Sequence, residues 1–125
     1  MTYDEVTKHM LSLPGAELSI KWGSDHIFVV GAKMFAGLGP KPKKGEVSGI
    51  SFKADEMGFE ILTKKRGITP AKYLARAKWV ALDKLDRLPD KQLKAYLTRA
   101  HAIVAAGLSK KLRAPLGIVD PPHDA

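Results

Sequence analysis

The groups in this sequence best suited to chemistry are cations. Residues 62–78 contain Lys64, Lys65, Arg66, Lys72, Arg76 and Lys78 and no carboxylate, and Lys41, Lys43 and Lys44 form a second cluster in a loop between two candidate strands. Lysines and arginines at this density on projecting segments are the donor set that a phosphate backbone rewards. Tyr73 and Trp79 lie among the 62–78 cations and supply rings that can stack on bases. One reading joins both clusters into a single phosphate-tracking surface. The other leaves two separate solvated faces with Trp79 in the core.

Other chemistries find less support. The 39–45 loop is glycine-bounded and basic, but no Gly-Lys-Ser/Thr follows and no helix starts there, so it is not a phosphate loop for nucleotide hydrolysis. Pro40 and Pro42 stiffen it, which suits a wing that presents lysines at little entropic cost. His9, His26, His101 and His123 are scattered, with no pair four residues apart, and suggest no metal site. Cysteine is absent, which excludes disulfides, thiolate metal sites and cysteine nucleophiles. Ser24-Asp25-His26 has the letters of a catalytic triad, yet three consecutive residues cannot adopt its relay geometry. Asp55-Glu56 reads as a helix start, and Asp83 with Asp86 as a strand exit. Trp22 reads as a core residue, with the wall of a small-molecule pocket as the alternative. The expectation is a protein that is not an enzyme, with no catalytic residue, no metal and no cofactor.

A chain of 125 residues supports one domain with its own core, and 45% hydrophobic residues suit that. Twenty-one Lys and Arg against 13 Asp and Glu leave a net charge of +8, which points to an anionic partner. Residues 1–8 are polar, without the apolar stretch of a signal peptide, and no apolar run is long enough to span a bilayer. No membrane partner and a cytoplasmic location are expected.

The elements that must position these residues follow from spacing. Thr2-Tyr3-Asp4-Glu5 is a capping box, so a helix begins at residue 3, and Leu13-Pro14-Gly15 ends it. Leu18, Ile20 and Trp22 then alternate with polar residues, as on a strand with one buried face. Residues 26–30, 33–38 and 46–53 read as three further strands, with Gly31-Ala32 as a tight turn. Residues 54–63 read as a helix, 68–74 as a connection and 77–83 as a fifth strand. Leu93, Leu97, Ala100, Val104, Leu108 and Leu112 form the apolar stripe of a long helix over 90–112. Residues 1–113 are thus one domain, and the proline-rich 114–125 an extended or disordered tail.

Several ordered motifs resemble the MmcQ/YjbR family: Leu13-Pro14-Gly15-Ala16, Trp22-Gly23, residues 31–36, Ser51-Phe52-Lys53, Pro70-Ala71-Lys72-Tyr73-Leu74, Lys78-Trp79-Val80 and the basic Ser109–Arg113. The resemblance implies an α+β fold similar to the frataxin-like protein CyaY. It sets a five-stranded antiparallel sheet with the N-terminal and C-terminal helices on one face, the arrangement called a double wing. It also implies DNA binding, a name inferred from shape, and brings no catalytic residues. Two features depart from the pattern: the basic loop at 41–44, and Arg76-Ala77-Lys78 where a His often precedes the Trp. Frataxin-like iron binding would need a carboxylate ridge, and only Asp4, Glu5, Glu17 and Asp25 stand in that region. The expected function is nucleic-acid binding, DNA foremost, through the residues named above. The alternative is a small anionic ligand or an acidic protein on the same cations.

Overall fold

The computed structural model describes residues 1–21, 25–43 and 48–117, with the side chain of Lys21 left aside. The helix α1 spans Tyr3–Leu11, and its capping box forms as the sequence predicts: the Thr2 hydroxyl accepts from the Glu5 amide and the Glu5 carboxylate accepts from the Thr2 amide. Four strands follow, β1 (Ala16–Lys21), β2 (Asp25–Val30), β3 (Lys33–Leu38) and β4 (Ile50–Lys53). The helix α2 is Glu56–Leu62, capped by Asp55, whose side chain accepts from the Gly58 amide at 2.6 Å. Strands β5 (Ile68–Pro70) and β6 (Trp79–Leu82) precede the helix α3 (Asp90–Ala106) and the short helix α4 (Lys110–Arg113).

The sheet has six antiparallel strands in the order β1-β2-β3-β4-β6-β5. The sixth strand is a correction: residues 68–70, expected to be a connection, pair outside β6, with Ile68 buried against the core. A run of three residues ending in proline carries no periodicity from which a strand could be read. The turn at Gly31-Ala32 forms as expected, with both residues at positive φ, the conformation that matches a hairpin's twist.

All three longer helices pack on one face of the sheet. Phe28, Val30, Ala36, Leu38, Phe52, Val80 and Leu82 point to that side in register, and Val6, Met10, Leu62, Leu93 and Leu97 close over them. An extra residue in β3 opposite Phe28/Val29 turns Phe35 inward too, edge-on to the buried His101 ring at 5.3 Å. His101 Nε2 donates to Pro14 O at 2.6 Å, which ties α3 to the end of α1.

Two further expectations change. The stripe through Leu112 does not belong to one helix: α3 ends at Ala106, and Ser109 caps α4 anew through the Leu112 amide. Leu108 is thereby free to turn into the core beside Gly31, where a side chain at Gly31 would collide with it. Leu18 and Ile20 point to the helix side, as their alternation predicts, yet Leu18 is 37% and Ile20 61% exposed. β1 is an edge strand that the helices do not fully cover. Residues 114–116 form a 3-10 turn with Leu116 against the core, and residues 118–125, with His123, lie outside the described residues.

Candidate nucleic-acid interface

The strand register gives the sheet two ends. Leu38, Ile50, Leu82 and Ile68 line up across four strands at one end, and Lys53 stands opposite Trp79 at the other. The four-residue strands β4 and β6, at about 3.3 Å per residue, set these ends about 10 Å apart. Residues 39–43 and 48–49 and the 63–67 turn lie at the Leu82 end, with the start of α1, whose Tyr3 hydroxyl donates to Gly39 O at 2.7 Å. Residues 71–78 lie at the Trp79 end, together with the Gly31-Ala32 turn and, through Leu108 and Leu116, residues 107–116.

The cations of residues 62–78 are therefore split. β5 runs between them, so Lys64, Lys65 and Arg66 project at the Leu82 end, and Lys72, Arg76 and Lys78 at the Trp79 end. Lys41 and Lys43 are exposed at the Leu82 end; Lys44 lies outside the described residues, as does Trp22. Of the two sequence readings, a single phosphate-tracking surface would thus have to span both ends of the strands, with the 62–78 cations divided between them.

The two groups sit in different electrostatic surroundings. At the Leu82 end Lys41 Nζ lies 3.2 Å from Asp4, Arg87 is bidentate to Asp83 at 2.5 and 2.9 Å, and the terminal amine meets Asp90 at 2.6 Å. The Arg87 guanidinium holds the Asp83 carboxyl below the usual aspartate range, and Asp83 in turn raises Arg87. Asp25 adds a further carboxylate, and with Asp4 and burial it pushes the Tyr3 phenol up, burial being the largest cause. The Trp79 end carries Lys33, Lys53, Lys72, Arg76 and Lys78, and α4, with Lys110, Lys111 and Arg113, lies at the same end on the β1 and β2 side of the sheet. The nearby Asp55 is already engaged: it caps α2 and pairs with Arg99 at 2.5 Å, and the Gly58 amide, ahead of Arg99, holds its carboxyl low.

The 71–78 segment is built to hold one conformation. The Ala71 amide donates to Trp79 O, and the Trp79 amide to Leu74 O, so the base of the loop continues the ladder. Lys53 Nζ reaches across to donate to Ala77 O, and Lys78 Nζ sits 5.0 Å above the Phe59 ring of α2. Lys53 and Lys78 thus position the loop, while Lys72 and Arg76 stand at its exposed surface. Trp79 is 6% exposed and lies outside the main core cluster, so it packs beneath the loop and offers no ring for stacking. Tyr73 differs: it is 91% exposed, with Lys72 Nζ 5.4 Å from its ring, and its backbone is left-handed at φ 69°. For a residue with a Cβ that conformation costs about 1–2 kcal/mol.

Among the described residues the non-glycine positions at positive φ are Ala32, Tyr73 and Lys78, and all three lie at the Trp79 end. The left-handed turn at the Leu82 end uses glycine, Gly67 at φ 80°. The residues that sequence reasoning missed are Lys33, Lys53 and the α4 cations. They stood in the sequence only as parts of family-like motifs and as charge, and their place at this end of the sheet depends on the register. Among the described residues no group of three His, Asp or Glu could hold a metal ion. The histidines serve packing: His9 Nε2 bonds to Thr98 Oγ1 at 2.9 Å, and His26 Nδ1 to Tyr3 Oη at 2.9 Å. No helix among the described residues is long and apolar enough to cross a membrane.

A family model described as YjbR matches residues 11–103. No curated protein matches the chain. Among solved structures, a Deinococcus radiodurans protein with a domain described as DUF419 superposes with a TM-score of 0.81 at 22% identity, covering 98% of this chain and 93% of that one. A Pseudomonas syringae protein solved as a structural genomics target gives 0.66 at 20% identity, covering 82% of this chain and 98% of that one. At these identities the likeness shows the fold.

Proposed function

We propose that this chain, which belongs to the YjbR family, binds nucleic acid, DNA foremost, at the Trp79 end of its sheet, and does so without catalysis. The observation that carries the reading is Tyr73, a ring set almost wholly in solvent on a left-handed backbone between Lys72 and Arg76. An exposed ring contributes little to folding, and its backbone conformation opposes folding. Flanked by cations it fits an unpaired base stacked on the ring, with phosphates on either side. Lys33, Lys53 and the α4 cations extend the positive field along the same end, which favours encounter with a polyanion.

A second reading, a small anionic ligand, draws on the cavity of about 360 Å³ between α1 and α3, which Lys8, His9, Ser12 and Lys94 line beside Glu5. Here burial holds the His9 imidazole below its ordinary pKa, against a hydrogen bond with the Lys94 backbone that raises it. The mix of charges favours the first reading, because Glu5 stands within the cavity while the 71–78 loop holds no carboxylate.

Fluorescence anisotropy of labelled single- and double-stranded oligonucleotides at two salt concentrations tests the proposal. Micromolar binding that falls steeply with salt, prefers the single strand and is lost in a folded Lys72→Glu/Arg76→Glu variant is expected. Absence of binding at low salt, or binding indifferent to that variant, would overturn it.

A further inference from the structure

The two edges of the sheet are closed differently. β5 is three residues long and ends in Pro70, which has no amide to offer a further strand. β1 is six residues long and contains no proline. It has β2 on one side, and no described strand on the other. Its outward backbone groups are thus a template for pairing, and Leu18 and Ile20 remain exposed beside them on the helix side.

The sequence of β1 is complementary to itself when reversed. Residues 17–21 read Glu-Leu-Ser-Ile-Lys. Set antiparallel to a second copy about Ser19, Glu17 faces Lys21, Leu18 faces Ile20 and Ser19 faces Ser19. A twofold axis also limits the choice of register. Residues opposite each other must share a face of the sheet, so the axis can pass through a residue but not between two. Centring on Leu18 sets Glu17 against Ser19, and centring on Ile20 sets Lys21 against Ser19. The register centred on Ser19 alone gives both charges an opposite partner, and it does so twice by symmetry. The two apolar pairs then fall together on the helix side, where Leu18 and Ile20 are now exposed.

We infer that β1 is a self-association edge, at which a second copy of this chain pairs antiparallel about Ser19 to make a continuous twelve-stranded sheet. The occupant is specified by charge complementarity: a foreign strand has no reason to carry the reversed pattern, whereas every copy of this chain carries it. The open faces of both sheets lie on one side of the dimer, and the two Trp79 ends point in opposite directions along the strands.

Sedimentation velocity across micromolar to millimolar protein tests this, with folding of each variant checked by circular dichroism. The natural chain dimerises reversibly. Glu17→Lys and Lys21→Glu each weaken self-association by about tenfold, since each places like charges opposite one another twice. The weakening by Lys21→Glu is the more telling, because that change lowers the net charge and by general repulsion alone would favour association. An equimolar mixture of the two single variants forms a heterodimer tighter than either homodimer, and a chain carrying both changes self-associates as the natural one does. A natural chain that stays monomeric throughout, single variants that dimerise unchanged, or a mixture no tighter than its components would each overturn the inference.

Discussion

The Trp79 end and the Leu82 end of the sheet both carry cations, and they differ in the groups that surround them. At the Leu82 end Lys41 and Arg87 meet carboxylates, and the tight turn is made by Gly67. Two of its cations are thus engaged within the molecule, while Lys64, Lys65 and Arg66 stand exposed beside them. At the Trp79 end the nearby Asp55 is taken by α2 and Arg99, Lys72 and Arg76 stand exposed while Lys53 and Lys78 hold the loop, and Tyr73 and Lys78 keep left-handed conformations that glycine would adopt at less cost. Positive charge in a sequence is therefore not yet a binding surface. Whether it becomes one depends on which carboxylates the fold brings alongside. Local strain at Tyr73 and Lys78 is what the proposed interface at that end would account for.

The largest expected effect breaks this comparison outright. Lys72→Glu/Arg76→Glu and Lys64→Glu/Lys65→Glu change the net charge equally, so overall repulsion is matched and only position differs. The first pair should weaken oligonucleotide binding about 100-fold and the second less than about threefold, read by anisotropy at one salt concentration. Equal losses would show that general charge, and not the Trp79 end, drives binding.

Gly67→Ala should destabilise the fold by about 2 kcal/mol, because the left-handed backbone penalises a Cβ and the new methyl group collides with the Arg87 side chain held against Asp83. Urea denaturation measures the loss, and oligonucleotide affinity should stay unchanged if the Leu82 end is structural. Tyr73→Gly should act in the opposite sense at the other end. Relief of the left-handed strain raises stability by about 1 kcal/mol, while loss of the ring weakens single-strand binding roughly tenfold. A variant that gains stability and keeps its affinity would remove Tyr73 from the interface.

The smallest effect concerns pH. Arg87 holds the Asp83 carboxyl below its ordinary value of 3.8, so this pair's contribution is present above that value and is lost as pH falls through the lower, folded-state pKa. Asp83→Asn should slightly flatten the acid limb of a melting-temperature profile and leave the neutral plateau almost unmoved, as expected for an exposed pair.

Much of the fold was legible because its signals are local. The Thr2–Glu5 capping box, the two-residue period after residue 16, the Gly31-Ala32 turn and the stripe of α3 each depend on neighbours a few residues away. β5 was hidden because three residues ending in proline have no period to detect. The break at Gly107 was hidden because Leu108 and Leu112 keep helical spacing while serving different elements. The exposure of Leu18 and Ile20 was hidden for a related reason: alternation tells which side of a strand faces the helices, and says nothing of whether a helix reaches that far.

What the sequence determined by itself was the inventory: a basic chain without cysteine, an α+β order of elements, and the cations, Tyr73 and Trp79 as the residues from which an interface would be drawn. The tertiary structure alone decided how that inventory is divided. It sent Lys64–Arg66 to one end and Lys72–Lys78 to the other, set Lys53 opposite Trp79, and put Trp79 inside and Tyr73 outside. The physical reason is range. Caps, turns and periods are set by bonds within a few residues, whereas strand register joins residues far apart in the chain, and only register determines which charges share a surface.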